Sequence, residues 1–192
     1  MKALEDKILK EGSVLPGQVL KVGSFLNHQM DVPFIMEMGR EIAARFRGEE
    51  IDKILTVEAS GIALAFAAAY QMGVPLVFAK KNKTSNVSAG VYTTAVHSYT
   101  HGRDFQIVVS REVLHPGERI LLIDDFLANG CALRGLMDIA GQAGAAVAGC
   151  ATAIEKGFQG GGDALRSEGI RVESLAILDG MDDGKIIFRH NA

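Results

Sequence analysis

Short buried segments alternate with helical patterns along this chain, and this alternation restricts the possible folds more than any other feature. Lys53–Val57 has the composition of a buried strand, Ser60–Met72 is an alanine-rich helical stretch closed by Gly73, and Val74–Ala79 is a second strand. Two neighbouring strands joined by one helix run parallel, with a right-handed crossover. The segment therefore predicts a β-α-β unit.

The same alternation continues on both sides of this unit. Helices are predicted at Pro33–Arg47, with Asp31 as cap and Gly48 as stop, and at Ala132–Ala140. Further strands are predicted at Phe105–Ser110, Arg119–Ile123, Ala145–Ile154, Val172–Leu178 and Lys185–Phe188, with turns at Asp179-Gly180 and Asp183-Gly184. The predicted fold is thus α/β, a mostly parallel, twisted sheet flanked by helices on both faces. Ligands of such sheets bind beyond the carboxyl ends of the strands.

The length and charge of the chain narrow its class. A chain of 192 residues is expected to fold as one domain spanning residues 1–192. Its start, from Met1 to Lys10, carries alternating charges rather than the apolar core of a signal peptide, and no apolar run approaches the roughly 20 residues that span a bilayer. We therefore expect no membrane association. The net charge of −3 argues against general binding to nucleic acid.

Cysteine usage points to a reducing compartment. The chain has two cysteines, Cys131 and Cys150, and no CxxC pair. Two isolated cysteines exclude a disulfide scaffold and a multi-cysteine zinc site. The histidines show no metal-ligand spacing either. A cytoplasmic location is expected.

Positive charges cluster in a stretch that lacks acidic residues. Between Glu58 and Asp104 there is no carboxylate side chain, whereas Lys80, Lys81 and Lys83 lie in this interval. Two interpretations are open. An isolated lysine cluster alone would favour a solvated basic loop, but an acid-free basic stretch in an acidic protein also suits a small polyanionic ligand.

Two adjacent carboxylates follow the apolar strand Arg119–Ile123. Within a strand the Asp124 and Asp125 side chains would point to opposite faces, each into an apolar layer, at a high desolvation cost. The cost is relieved if the strand ends there, where both carboxylates can accept hydrogen bonds from the vicinal hydroxyls of a ribose. The small-sided loop up to Ala132 then opens a helix, whose first amides suit a phosphate. The alternative is a capped helix after an acidic strand end.

A second small-sided loop connects Lys53–Val57 to the next helix. Glu58, Ala59 and Ser60 precede Gly61 there, at the same predicted edge of the sheet. Small residues let backbone amides approach an anion such as pyrophosphate. An ordinary helix start with Ser60 as N-cap explains the sequence nearly as well.

Four segments of the chain carry a resemblance to a known family. Residues 121–130 (LLIDDFLANG) resemble the phosphoribosyl-pyrophosphate motif of type I phosphoribosyltransferases. Residues 19–29 (VLKVGSFLNHQ), 154–159 (IEKGFQ) and 172–176 (VESLA) narrow the resemblance to the bacterial xanthine phosphoribosyltransferases, across nearly the whole chain. The resemblance implies a type I phosphoribosyltransferase fold with a small hood, formed by about residues 1–32 and parts of 155–192.

The resemblance also implies an activity and its residues. The reaction joins xanthine to the phosphoribosyl group of phosphoribosyl pyrophosphate (PRPP), giving xanthosine 5′-monophosphate and pyrophosphate, with Mg²⁺. Asp124 and Asp125 would be catalytic and hold the ribose hydroxyls, directly or through metal-bound water. Leu20, Asn27 and Lys156 match base-binding positions. The PRPP contacts would come from Ala128, Asn129, Gly130, Cys131 and Ala132, together with Glu58, Ala59, Ser60, Lys80 and Lys81.

The stretch from Asn82 to Gly102 is rich in Ser, Thr, Tyr and Gly and weak in periodicity. It is similar to the mobile lid of the family, with Lys80 and Lys81 at its base. A lid suits the reaction because water would capture an oxocarbenium-like sugar. The family also implies a homodimer.

Elementary chemistry supports an oxopurine at Lys156. An ammonium only donates hydrogen bonds, so it favours ring oxygens over the exocyclic amine of adenine. Asn27 both donates and accepts, and Leu20 offers an apolar face to the ring. The alternatives are a surface Lys156 paired with Glu155, a turn-capping Asn27 and a Leu20 that merely packs.

Several positions depart from related motifs. Asn129 and Ala132 stand where hydroxyl residues are common, so phosphate contacts must rely more on backbone amides. Ala128 stands where hypoxanthine-guanine enzymes often have an aspartate, the suspected proton acceptor, and no general base is assigned here. Cys131 also differs from the residue expected in the xanthine family.

Three other functions stay open at this point. One is an enzyme that prefers guanine or hypoxanthine, since all three bases carry a 6-oxo group. Another is a regulatory ligand sensor on the same fold, although the segment before Leu20 is too short for a winged helix. A phosphotransfer receiver domain also has paired acids, but near its first strand, whereas Asp124 lies past the middle of the chain.

Overall fold

The computed structural model describes residues 1–82, 90–98, 103–182 and 185–189. The helices in these residues are α1 (Lys2–Glu11), α2 (Val32–Arg45), α3 (Gly61–Met72), α4 (Cys131–Gln142) and α5 (Gly161–Ser167). The strands are β1 (Ser13–Leu15), β2 (Val19–Lys21), β3 (Lys53–Val57), β4 (Leu76–Asn82), β5 (Val91–Ser98), β6 (Arg103–Ser110), β7 (Arg119–Leu127), β8 (Ala146–Lys156), β9 (Val172–Asp182) and β10 (Lys185–Phe188). Short π-helical and 3₁₀-helical turns lie at Gly23–Asn27 and Gly157–Gln159. In the described ranges, every helix is too short or too polar to cross a bilayer.

Eight strands form one sheet in the order β10-β9-β8-β7-β3-β4-β6-β5. The five neighbours from β9 to β4 pair in parallel, while β10, β6 and β5 add antiparallel pairs at the edges. The predicted β-α-β unit is present, since β3 and β4 run parallel and α3 connects them. The predicted α/β class, with a mostly parallel sheet flanked by helices, is confirmed.

Apolar side chains on both faces hold the helices to the sheet. On β7, Leu121 and Ile123 pack into the core that contains α1, α2 and α3. Ile120 and Leu122 pack into the second core, on the side of α4. This alternation follows from the two-residue period of a strand. Because both faces of the central strands are covered, a ligand must approach at the strand ends.

Two strands extend beyond their predicted ends. β7 continues past Ile123 to Leu127, because its outer half pairs in parallel with β8. The predicted turn at Asp179-Gly180 is wrong, since this segment belongs to β9 and pairs with β10 in an antiparallel hairpin. The other predicted turn, Asp183-Gly184, lies outside the described residues. In both cases pairing with a neighbouring strand of the sheet overrides the local sequence preference for a turn or a strand end.

The stretch from Asn82 to Gly102 is described only in part. Residues 83–89 and 99–102, on which much of the lid interpretation rests, lie outside the described residues. Between them β5 pairs with β6 in an antiparallel ladder, and Tyr92 and Val96 are buried there. This part is therefore a regular strand and not the irregular loop that weak periodicity predicted.

The N-terminal segment adds a small hairpin beside the main sheet. β1 and β2 pair antiparallel around a turn in which Gly17 and Gln18 both have positive φ, 81° and 58°. Asp31 caps α2 as predicted, and its Oδ1 accepts a hydrogen bond from the Phe34 amide at 3.2 Å. The cap fixes the point where the hairpin and the π-helical turn join the main fold.

Candidate active site

A cavity of about 750 Å³ lies at the carboxyl ends of the parallel strands. Its walls come from regions that are far apart in the sequence, namely the N-terminal hairpin, the β5-β6 pair and the ends of β7 and β8. The lining residues are Gly17, Val19, Leu20, Asn27, Ser60, Lys81, Val96, Phe105, residues 124–133, Lys156 and Gln159. This is the edge at which an α/β sheet is expected to bind its ligand.

Asp124 and Asp125 both line this cavity, although they are consecutive residues of a strand. The apolar alternation along β7 changes phase across them. Ile123 and Phe126 pack into the same core, on the side of α2 and α3, and Leu127 packs into the other. A strict two-residue period would place Ile123 and Phe126 on opposite faces. The phase change brings both acids to one cavity although the strand continues past the predicted end at Ile123.

Burial raises the pKa of one member of the acidic pair, Asp124. Asp124 and Asp125 are only 6% and 7% exposed. Desolvation, and after it the charge of Asp125, raises the pKa of Asp124 well above its ordinary value, and Lys81 opposes this shift. Asp124 Oδ1 accepts a hydrogen bond from the Asp125 amide at 3.0 Å. Hydrogen-bond donors or a cation in the cavity would therefore stabilise the ionised form of Asp124.

The loop at residues 128–132 leads from β7 into α4 along the cavity wall. Gly130 is the N-cap of α4 and has a φ of +84°, which glycine adopts without strain. In the described structure no side chain caps this helix, so the alternative of a capped helix is not what is observed. The first amides of α4, from Cys131 and Ala132 onward, are thus available to an anion.

The loop before α3 contributes one wall residue, Ser60. Its side chain makes no capping hydrogen bond in the described part of the chain, unlike an ordinary N-cap. Glu58 Oε1 accepts a hydrogen bond from the Lys81 amide at 2.6 Å, which ties this loop to β4. Lys81 lines the cavity, whereas Glu58, Ala59 and Lys80, as described, lie outside its wall.

Gly61, the first residue of α3, lets this helix approach the acidic pair. A Cβ added at Gly61 would lie 3.0 Å from Asp124 Oδ1 and would overlap the Thr56 hydroxyl oxygen. A side chain at this position would therefore push the helix start away. The close approach places the amino terminus of α3, with its partial positive charge, beside the carboxylates.

Leu20, Asn27 and Lys156 come from three elements and meet in the same cavity. Lys156 is the last residue of β8, and its Nζ donates a hydrogen bond to the Gln18 carbonyl at 3.0 Å. Desolvation lowers the pKa of Lys156. Leu20 is buried on β2, and Asn27 is half-buried at the end of the π-helical turn. The hairpin thus lies directly beside the ammonium group.

The alternative of a surface pair between Lys156 and Glu155 is wrong. Glu155 is fully buried, and Arg166 donates two hydrogen bonds to its carboxylate at 2.6 and 2.9 Å. The Ser174 hydroxyl donates a third. Because successive side chains of a strand point to opposite faces, these two neighbours have different surroundings.

Several residues that line the cavity were not predicted from the sequence. Phe126 and Gln159 stand within the motifs that predict the site, so proximity to those motifs could have found them. Val96 and Phe105 lie opposite each other in the β5-β6 ladder, and the pairing of β6 with β4 attaches this ladder to the main sheet beside the cavity. No local signal identifies this second pair.

Comparison with known proteins gives one consistent family. Residues 31–165 match the family described as phosphoribosyl transferase domain. The chain is 53% identical over 190 residues to xanthine phosphoribosyltransferase 1 of Clostridium perfringens, which covers 98% of this chain and 100% of that one. It is 54% identical over 193 residues to the xanthine phosphoribosyltransferase of Bifidobacterium longum, which covers 99% and 100%.

Solved structures share the fold at much lower identity. The APRTase of Giardia lamblia complexed with 9-deazaadenine matches with a TM-score of 0.75 at 20% identity, over 91% of this chain and 96% of that one. The adenine phosphoribosyltransferase of Rhodothermus marinus matches with a TM-score of 0.72 at 22% identity, over 93% and 100%. At this identity the similarity shows only a shared fold and does not indicate which purine base this chain binds.

Proposed function

Because this chain belongs to the phosphoribosyltransferase family, we propose that it transfers the 5-phosphoribosyl group of PRPP to xanthine, in purine salvage. The bond between ribose C1 and the pyrophosphate oxygen breaks, its electron pair stays on pyrophosphate, and a bond between C1 and a purine ring nitrogen forms while the proton of that nitrogen passes to pyrophosphate or to solvent. The products are xanthosine 5′-monophosphate and pyrophosphate. An identity of 50–54% to xanthine phosphoribosyltransferases, over nearly the full length of this chain and of those relatives, supports this reaction.

One observation carries the proposal. A single cavity joins a buried acidic pair, a helix start without a side-chain cap and the half-buried ammonium of Lys156. These groups suit, in that order, the hydroxyls of a sugar, a phosphate and a purine oxygen. PRPP has a phosphate at one end of its ribose and pyrophosphate at the other, so anion sites are needed on both sides of the acidic pair. The loops at residues 58–61 and 128–132 supply them.

The acidic pair acts on the sugar. Asp124 and Asp125 accept hydrogen bonds from the ribose hydroxyls, each charge-assisted bond contributing roughly 1.5–3 kcal/mol. Their negative charge also stabilises the positive charge that develops on the sugar as pyrophosphate leaves. The amides at the start of α4 hold the 5′-phosphate, while Ser60 and Lys81 face the pyrophosphate. Holding both reactants in one place makes the transfer effectively unimolecular.

The same carboxylates suit Mg²⁺. In proteins Mg²⁺ is bound through one or two carboxylates together with substrate phosphates. Within the described ranges, no three His, Cys, Asp or Glu side chains form a self-sufficient metal site, so the ion would depend on the substrate as well. Asp124 and Asp125 would hold it, and it would neutralise charge on the pyrophosphate. A bound cation would oppose the rise in the pKa of Asp124 that burial and Asp125 cause, because it favours the ionised carboxylate.

The organisation implied by the resemblance belongs to the same proposal. It is a single domain with a hood of about residues 1–32 and parts of 155–192, in a cytoplasmic homodimer. The hydrogen bond between Lys156 and the Gln18 carbonyl supports the hood, since it joins the N-terminal hairpin to the end of β8. The partners are small-molecule substrates, and we expect neither nucleic acid nor membrane.

Pyrophosphate release with PRPP, Mg²⁺ and a panel of purines tests the function. We expect release to be fastest with xanthine, slower with guanine and hypoxanthine, and absent with adenine, since Lys156 offers donors only. No release with any of the four bases would favour the regulatory sensor. Fast release with adenine would contradict the role of Lys156, and a preference for guanine or hypoxanthine would move the substrate within the same enzyme class.

Cys131 allows a test of the phosphate loop without an activity assay. It lines the cavity, whereas Cys150 is buried in β8, where desolvation raises the pKa of its thiol to about 12. Because the thiolate is the reactive form, a thiol reagent should modify Cys131 and spare Cys150. Ribose 5-phosphate at ten times its Kd should slow this modification about tenfold, because it covers the loop.

The control for the labelling test is xanthine alone, which is expected to leave the rate of Cys131 modification unchanged. A Cys131→Ser variant should lose the fast modification altogether. Equal rates with and without ribose 5-phosphate would show that the phosphate binds elsewhere.

A further inference from the structure

A short helix behind the cavity touches both halves of the candidate site. α5 (Gly161–Ser167) follows the turn after β8, and its first amide, from Gly161, donates a hydrogen bond to the Ala128 carbonyl at 3.1 Å. Near its other end, Arg166 binds Glu155, the residue before Lys156. One helix therefore contacts the loop at residues 128–132 and the end of β8.

The contact with the loop leaves no room for a side chain at Gly161. A Cβ added at Gly161 would lie 2.6 Å from the Gly130 nitrogen and would overlap the backbone of Ala128 and Asn129. Leu165 is fully buried and lies 3.6 Å from a Cβ placed at Gly130. A shift of α5 towards the loop would therefore displace the backbone of residues 128–130.

The contact with β8 is a buried ion pair. Glu155 has no exposed surface, and Arg166 binds both of its carboxylate oxygens. A Cβ added at Gly162 would overlap the Glu155 carboxylate, so the absence of a side chain at Gly162 makes space for the ion pair. Arg166 also donates to Asp163 on its own helix at 3.2 Å. Loss of Arg166 would leave the Glu155 carboxylate buried without its partner, which would strongly destabilise the fold. The ion pair therefore holds α5 against β8.

We propose that Glu155 and Arg166 are positioning residues that hold α5 so that the loop at residues 128–132 and Lys156 are aligned at the same time. The inference rests on the proposed function, because it takes the loop as the phosphate subsite and Lys156 as the base subsite. As described, neither Glu155 nor Arg166 lines the cavity, so both act through other residues. Since α5 contacts both the loop and the residue before Lys156, we expect ligand binding at one subsite to favour binding at the other, and such coupling is reciprocal.

The test removes the ion pair without leaving a buried charge. In the double variant Glu155→Gln with Arg166→Met, the glutamine keeps an acceptor for the Ser174 hydroxyl and both charges are lost. The matched control is Arg134→Met, which breaks an exposed ion pair with Glu168, just beyond the same helix. Calorimetry measures the Kd of xanthine with and without saturating ribose 5-phosphate, and steady-state kinetics gives the KM of both substrates.

In the native protein, ribose 5-phosphate should tighten xanthine binding at least about fivefold. In the double variant we expect this factor to fall below about two, and the KM values of xanthine and of PRPP to rise together by about tenfold or more. The double variant should keep its circular dichroism spectrum, and Arg134→Met should keep the native factor and both native KM values. A structural role alone would lower stability without removing the coupling.

Several results would overturn the inference: no coupling in the native protein, native coupling in the double variant, a rise in only one KM, or equal losses in Arg134→Met. If the double variant does not fold, Arg166→Lys decides, since it keeps the charge but not the two-pronged geometry. The factor by which ribose 5-phosphate tightens xanthine binding should fall by about half or more in Arg166→Lys. An unchanged factor would contradict the proposal. A native protein that forms no xanthosine 5′-monophosphate would refute the proposed function itself, a different result from coupling lost in the variants alone.

Discussion

Replacing both carboxylates of the cavity, Asp124→Asn with Asp125→Asn, is expected to lower turnover at least about 10³-fold in a protein that stays folded. The amides are weaker acceptors for the ribose hydroxyls, cannot offset positive charge on the sugar and bind Mg²⁺ poorly. Formation of xanthosine 5′-monophosphate at saturating PRPP, Mg²⁺ and xanthine measures the loss. The matched control is Asp138→Asn, an exposed carboxylate on α4, which should keep native turnover.

Stability separates lost chemistry from lost folding in that experiment. Because burial and Asp125 raise the pKa of Asp124, its ionised form costs folding free energy at neutral pH. Asp124→Asn alone should therefore melt about 2–4 °C higher at pH 7, the shift that about 1 kcal/mol gives in a chain of this size. The gain should shrink as pH falls through the raised pKa, since Asp124 is then protonated as well. Lower stability of the variant at neutral pH, or near-native turnover of the double variant, would contradict the role given to the pair.

The second large effect concerns base recognition. Lys156→Met should lower kcat/KM for xanthine at least about 10²-fold, mainly through KM, because the base loses the ammonium that pairs with its oxygen. The KM of PRPP should stay within about threefold, since Lys156 lies on the base side of the cavity. The measurement is steady-state kinetics with xanthine, guanine, hypoxanthine and adenine. Discrimination against adenine should weaken in the same variant.

Lys21→Met is the control for that change, because Lys21 is an exposed lysine on β2, next to Leu20 and, as described, outside the cavity wall. Its kinetics should match the native protein for every base. If Lys156→Met kept its preference for xanthine over adenine, another group would have to select the base.

The local sequence pattern predicted the bounds of helices and strands best where turn-forming or helix-stopping residues flank the segment. β3 and β10 have the predicted bounds, and α3 ends at Gly73, whose φ of +71° matches a left-handed stop. β5 and the outer part of β7 were not predicted because pairing, with β6 and with β8 respectively, stabilises them rather than their own sequence pattern. α5 escaped because it begins with two glycines, Gly161 and Gly162, which are poor helix formers, and packing on the loop at residues 128–132 sustains it.

The chemistry of the site was easier to predict than its geometry. Paired acids at the end of an apolar strand and small residues before a helix are local signals, so Asp124, Asp125 and the loop after them were identifiable. Lys80 and Lys81 are consecutive, and a strand sends such neighbours to opposite faces. Their register in β4 decides which one reaches the cavity, and the sequence does not contain that register.

The hydrogen bond from the Lys156 ammonium to the Gln18 carbonyl uses one of three N–H donors and leaves the others for a ligand in the proposed base pocket. Because the bond to Gln18 fixes the position of the ammonium, a purine oxygen would meet a donor that is already in place. A base that offers an amine at this position would place one donor against another. If the proposed function is right, the N-terminal hairpin thus prepares the selection of the base before any purine binds.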